Sequence, residues 1–255
     1  MPSRSISEIL PFDYAHRGLW GPTAPENTLP AFEAAVQAGY GIELDVQLTK
    51  DHEVAVFHDN DLYRCCGIHA DIHQITLQDA QQYKVCGSSQ SIPSLSDVLQ
   101  CIDGHVPVIL EIKTCRDIYL LCQKTADLLE KYHGAFCIES FNPMAVRWFR
   151  IHRPGWIRGQ LVFSIYGKKY AKKPAYFLLA SLLQNVLGRP DFLACDVEAD
   201  RGISISIVKH LFHPWTIGWT VRSQQDYARC SGQFDLIIFE SFLPEKSVSS
   251  AKCVE

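Results

Sequence analysis

"GIELDVQLTKDHEVAVFHD", residues 41–59, holds two extended segments, and the link between them decides the fold. In the first, Ile42, Leu44 and Val46 alternate with Glu43 and Asp45, so on a strand the two acids project from one face. The second, "EVAVFHD" (53–59), follows after only "TKDH" (49–52). A parallel crossover needs a dozen residues or more, so this short link permits only an antiparallel hairpin.

Working outward, the spacing predicts further strands at 12–18, 107–113, 135–140, 157–163, 191–197, 215–221 and 235–241. Most are separated by helical patterns, such as "NTLPAFEAAVQAG", "SLSDVLQCI", "DIYLLCQKTADLLEKY", "NPMAVRWFRIH", "ISIVKHLF" and "SQQDYARC". Alternation of this kind belongs to an α/β protein with a parallel sheet, and the strand count points to a closed (β/α)8 TIM barrel. The hairpin return at 53–59 is the surplus strand. It opens a small insertion after barrel strand 2, from about residue 47 to 92, lying over one end of the barrel. No linker, repeat or low-complexity tract divides the chain, so residues 1–255 are expected to form a single domain.

Composition removes some functions. With 24 Lys and Arg against 28 Asp and Glu, the formal net charge is -4, which leaves no basic surplus for a nucleic-acid backbone. The first residues carry neither a long apolar stretch nor a signal pattern. Ten cysteines occur without a C-x-x-C pair, so reduced thiols in a cytoplasmic protein are the expectation. Residues 168–188, "KKYAKKPAYFLLASLLQNVLG", place four lysines before an apolar run too short to span a bilayer. Pro174 suits a helix start and Gly188 a stop, giving either a buried helix with a basic entry loop or a weak peripheral contact with anionic lipid. Oligomeric state leaves no mark in the sequence.

Barrel enzymes gather their chemistry at the C-terminal ends of the strands. His16, Arg17 and Gly18 end the first strand there, and Glu43 and Asp45 stand on the second. The hairpin returns His58 and Asp59 to the same rim. Glu111 and Lys113 share a face in "LEIK", and later strands end at Glu139, Trp219 and Glu240. Glu43, Asp45 and Glu111 make an oxygen-rich anionic cluster suited to Mg²⁺ or Ca²⁺. The alternative is a structural ion-pair network with Arg17 and Lys113, which is rarely a net gain when buried. A hard cation beside Arg17 and Lys113 is a receptor for a phosphate-like anion. His16 and His58 supply the two proton carriers that phosphodiester cleavage uses.

In order along the chain, "HRG", "PENT", "GIELDV", "HD" and "LEIK" resemble the glycerophosphodiester phosphodiesterase family. The resemblance implies a TIM barrel with an insertion after strand 2. It also implies metal-dependent hydrolysis of small-molecule glycerophosphodiesters to glycerol 3-phosphate and an alcohol. It assigns His16 and His58 to acid-base catalysis, Glu43, Asp45 and Glu111 to the divalent cation, and Arg17 and Lys113 to the phosphate. Glu26 and Asn27 of "PENT" enter the first helix, where Asn27 suits an N-cap or a substrate contact. Glu26, Glu139, Trp219 and Glu240 are candidate substrate contacts. Glu240 departs from the Asp or Asn that the family often carries there, and could equally assist a second cation or pair with bases. A phospholipase-type phosphodiesterase acting on intact lipid and releasing a cyclic phosphate, or a non-catalytic phosphate-ester-binding barrel, are the alternatives.

One further cluster, Cys65, Cys66, His69 and His73 in "CCGIHADIH", has zinc-like residue types. Its adjacent cysteines lack the usual two-residue gap, which favours ordinary packing within the insertion. The remaining histidines, His52, His105, His133, His152, His210 and His213, read as surface or capping residues.

Overall fold

The structure, a computed structural model, describes residues 6–9, 11–162, 185–197 and 213–245. Eight parallel strands close a ring in the order β1 (Tyr14–His16), β2 (Gly41–Leu48), β4 (Val108–Ile112), β5 (Phe136–Ser140), β6 (Arg158–Val162), β7 (Phe192–Asp196), β8 (Trp215–Val221) and β9 (Leu236–Phe239). Pairing of β1 with both β2 and β9 completes the closure. β3 (Val54–Val56) stands outside the ring and runs antiparallel to β2, with Val46 opposite Val56 and Leu48 opposite Val54. The four-residue link thus folds as the hairpin its length requires.

Helices cover the outside of the ring. α1 (Leu29–Ala38) follows β1, and α4 (Leu95–Ile102) opens on Ser94. The Ser94 side chain accepts the Asp97 N–H in a capping box, while Ser96 lies within the helix. α5 (Ile118–Leu129), α6 (Pro143–His152, capped by Asn142) and α8 (Gln224–Cys230, capped by Ser223) follow β4, β5 and β8. The outward residues of the strands, including Ile42, Leu44, Val46, Val108, Leu110 and Ile112, pack against Phe32, Val98, Leu121 and Phe149 of these helices. Inside the ring, Tyr14, Ile109, Cys137, Phe192, Ile217, Leu236 and Ile238 fill the lower half with apolar bulk. The barrel is therefore solid below and polar only at its mouth. Gly159 is required by that filling, because a Cβ there would meet the Phe192 ring at 2.0 Å.

The insertion carries its own small core. Ala55, Phe57, Leu62, Cys65, Ile72, Ala80, Val85 and Ile92 bury together, around the short helices α2 (Tyr63–Cys66) and α3 (Leu77–Ala80). The zinc-like residues disperse within it. Cys65 is buried in this core, His69 stacks on Tyr63 with ring centroids 4.1 Å apart, and His73 donates from Nδ1 to the Leu48 carbonyl at 2.7 Å. Surface and capping roles fit His105 and His152, which donate to Ile102 and Trp148 carbonyls. His210 lies outside the described residues.

Of residues 168–188, only the short helix α7 (Asn185–Gly188) is described, and the remainder of that basic-apolar segment lies outside the described residues, as does "ISIVKHLF". α7 packs on α6, where a Cβ at Gly188 would meet Val146 Cγ1 at 2.8 Å. Among the described residues no helix is long and apolar enough to cross a membrane.

Candidate active site

Strand register builds the site. His16 lies opposite Glu43 across β1 and β2, Asp45 opposite Glu111 across β2 and β4, and Glu111 opposite Glu139 across β4 and β5. Neighbouring strands thus carry their acids at matching heights on the inward face. His16, Arg17, Glu43, His58, Glu111, Lys113 and Glu139 line one cavity of about 210 Å³ together with Phe141, Leu161, Trp219, Thr220, Arg222 and Ile238.

Glu43, Asp45 and Glu111 each bring a carboxylate oxygen within 4.8 Å of the others, and all three are buried. Burial and the charge of Asp45 push Glu43 far above the usual carboxylate range. Burial likewise raises Glu111 to about 7, although Lys113 acts against it. Burial also opposes ionisation of Asp45, but Lys113, His58, Arg17 and the Asn27 amide outweigh it and hold Asp45 well below its ordinary value. Glu139 is raised by burial and by Glu111, and among the described residues its buried Oε2 has no hydrogen-bond partner. Such crowding is costly without a cation, and the all-oxygen donor set fits a hard divalent ion.

The two fixed cations sit among these acids. Lys113 Nζ lies 3.2 Å from Asp45 Oδ1 and 3.0 Å from Glu111 Oε1. Arg17 donates its backbone N–H to Glu43 Oε2 at 3.0 Å and its Nη1 to Glu26 Oε1 at 2.8 Å, with Nε 3.5 Å from Asp45 Oδ2. Arg17 adopts a positive φ of 59°, followed by Gly18 at 83°. This turn bends the chain so that the Arg17 N–H meets Glu43. Only glycine suits the second position, because a Cβ on Gly18 would lie 2.9 Å from the Ala31 backbone carbon.

Both histidines are buried enough to lower their pKa below the usual imidazole value, with burial the main cause in each. Each also meets a carboxylate at Nδ1. His16 Nδ1 is hydrogen-bonded to Glu240 Oε2, and its Nε2 lies 3.9 Å from Glu43 Oε2. His58 Nδ1 is 2.5 Å from Asp59 Oδ1. His58 and Asp59 lie in the loop beyond β3, which ends at Val56 rather than running to residue 59. That loop is held by Gln47, whose Nε2 donates to the carbonyls of Phe57, His58 and Asp59 at 3.1, 3.0 and 2.7 Å.

The remaining candidates find partners within the protein. Asn27 is not the helix cap, since α1 has Thr28 at that place. Buried with a φ of 55°, Asn27 instead donates Nδ2 to Asp45 Oδ2 at 2.8 Å. Glu26 is bonded to Arg17 and to Arg64, which donates Nη1 to Oε2 at 3.0 Å and Nη2 to Oε1 at 2.6 Å. Arg64 also donates Nε to Asp59 Oδ2 at 2.5 Å. Glu240 is engaged by His16 and by Arg222, whose Nε lies 3.0 Å from Oε1. Trp219 faces the cavity with its indole edge-on to Phe141, centroids 5.7 Å apart. Gln47 was legible as the third inward residue after Glu43 and Asp45. Arg64 and Arg222 carry no local signal at all.

Comparison with family profiles matches residues 16–230 to the Glycerophosphoryl diester phosphodiesterase family. The chain belongs to this family. Among similar proteins, a glycerophosphodiester phosphodiesterase of Bacillus altitudinis is 37% identical over 114 residues, covering 42% of this chain and 46% of that one. A human lysophospholipase D is 30% identical over 143 residues, covering 51% and 44%. The matched segment therefore spans about half of these relatives' length. In fold, the chain is similar to an Oleispira antarctica phosphodiesterase solved with sn-glycerol-3-phosphate, at a TM-score of 0.78 and 22% identity over 92% of this chain and 95% of that one. A Thermotoga maritima glycerophosphodiester phosphodiesterase gives a TM-score of 0.67 and 22% identity, covering 89% and 94%.

Proposed function

We propose that this member of the family hydrolyses glycerophosphodiesters to glycerol 3-phosphate and an alcohol, with Glu43, Asp45 and Glu111 holding Mg²⁺ or Ca²⁺. The observation that carries the reading is one cavity of about 210 Å³ lined by two imidazoles together with carboxylates and fixed cations. Bound there, the cation supplies charge neutralisation to a phosphoryl oxygen. Arg17 and Lys113 add positive charge from the protein side, so a phosphate entering the cavity meets cations already held in place. One of His16 and His58 takes the proton of the nucleophile, and the other gives a proton to the leaving alkoxide. The nucleophile is water, or a neighbouring glycerol hydroxyl that forms a cyclic phosphate opened in a second step. Trp219 and Phe141 give the cavity an apolar wall against which the glycerol carbons pack, and Glu139 is the acid best placed for a glycerol hydroxyl. Glu26 and Glu240 are assigned to holding arginines and His16 rather than substrate.

A second substrate class is favoured by one observation, the human relative's name of lysophospholipase D. Lysophospholipids therefore belong beside deacylated diesters in the same assay. The test is release of glycerol 3-phosphate or lysophosphatidate from such a panel, with and without EDTA. Turnover that is lost on chelation and restored by Mg²⁺ or Ca²⁺ is expected. Turnover indifferent to chelation overturns the cation site, and no cleavage across the panel overturns the activity. Sedimentation with anionic vesicles tests the peripheral lipid contact proposed for 168–188, and absence of binding overturns it.

A further inference from the structure

Three strands in a row bring Arg222, Glu240 and His16 side by side at the barrel mouth. Val221 lies opposite Phe239, and Ala15 opposite Phe239 on the other side, so the next residue of each strand's chain falls at the same level. The Glu240 N–H donates to the Val221 carbonyl at 2.9 Å, which ties the two chain segments together beyond their strands. From this position Glu240 divides its oxygens. Oε2 meets His16 Nδ1, and Oε1 accepts from Arg222 Nε at 3.0 Å.

We propose that Glu240 is a positioning residue for His16, itself fixed by Arg222, and that it assigns the imidazole proton to Nδ1 so that Nε2 faces the cavity. The inference rests on the two-imidazole reading above and adds to it the group that orients one of them. A neutral imidazole has one protonated and one bare nitrogen, and a carboxylate at Nδ1 favours the proton there. Nε2 is then the nitrogen on the Glu43 side, 3.9 Å from Oε2, where the phosphate reaction takes place. Without Glu240 the ring loses both its preferred tautomer and its rotational anchor.

The same construction stands on the other imidazole, which is the independent support. His58 Nδ1 meets Asp59, and Asp59 in turn accepts from Arg64 Nε at 2.5 Å. Two histidines from unrelated segments are thus each backed by a carboxylate and an arginine. The chain reaches this arrangement with a carboxylate adjacent to His58 but 224 positions away from His16. Arg222 is the more exposed of the pair it makes, at 61% against 14% for Glu240, so it can be removed without opening the core.

The test uses the full chain with ¹⁵N-labelled histidine. In the wild type His16 is expected to show a protonated Nδ1 and a bare Nε2, and in Glu240→Ala the two nitrogens shift toward averaged values. Turnover should fall by at least ~10-fold in Glu240→Ala with KM within ~3-fold, because an orienting group acts on kcat. Glu240→Gln, which keeps an acceptor oxygen, should recover part of both signals. Arg222→Ala should move them in the same direction by less, and it serves if Glu240→Ala fails to fold. A wild-type tautomer together with kcat within ~2-fold in both Glu240→Ala and Arg222→Ala overturns the proposal. The nitrogen spectra judge the inference even if no diester is cleaved, so its failure is distinct from failure of the proposed activity.

Discussion

Two kinds of residue meet in this site, those that react and those that hold them. In the proposed reaction His16 and His58 belong to the first, and replacing either with Ala should lower turnover by about 10²–10⁴-fold while leaving the melting temperature near wild type. Steady-state kinetics beside a thermal melt checks this, and near wild-type turnover in both variants removes the proton-transfer roles. Asn27 belongs to the second. Its amide holds Asp45 Oδ2 at 2.8 Å, so Asn27→Ala should weaken cation affinity by about 10–100-fold. Calorimetric titration with Mg²⁺ or Ca²⁺ measures that loss. A helix-capping role would instead cost stability of ~1 kcal/mol and leave cation affinity alone, so the two readings separate cleanly.

At the scale of elements, β2 and its hairpin do most of the assembly. One face of β2 supplies Glu43 and Asp45 to the acidic cluster and then Gln47 to the His58 loop. Because Gln47 donates to three backbone carbonyls from a fully buried position, its amide substitutes for the ladder that the loop lacks beyond Val56. Gln47→Leu should destabilise the fold by ~1–3 kcal/mol and depress turnover more than stability alone explains, since it frees His58. Urea unfolding together with kcat tests both parts, and a destabilised variant with wild-type kcat sinks the anchoring role. The insertion contributes through Arg64, which bridges Asp59 to Glu26 and so joins the His58 loop to the "PENT" turn.

For the whole molecule, the mouth of a solid barrel puts ionisable groups where water is scarce. Burial lowers both imidazoles below the ordinary value of 6.5. The neutral ring that accepts a proton therefore persists as pH falls, and the acidic limb of kcat/KM should lie below pH 6.5 whichever histidine is the base. The sign also governs stability. Groups whose folded pKa is lowered bind fewer protons in the folded state, so stability is lost as pH falls from 6.5 toward the folded values. At a cation concentration high enough to keep Glu43 and Glu111 ionised, a pH-rate profile with its acid limb above 6.5 contradicts this. How much of all this the sequence determined follows from range. Period-two spacing placed Glu43 with Asp45 and Glu111 with Lys113 on shared faces, and a four-residue link settled the hairpin, because both depend only on neighbours along the chain. The closed ring, the facing of His16 by Glu240 and the locking of Asp59 and Glu240 by Arg64 and Arg222 depend on strand order and on side chains meeting across it. Asn27 shows the boundary best. Its type suited a cap at the place where a helix begins, but the left-handed turn at 55° swings it onto Asp45, a choice made by the barrel that brings the two together.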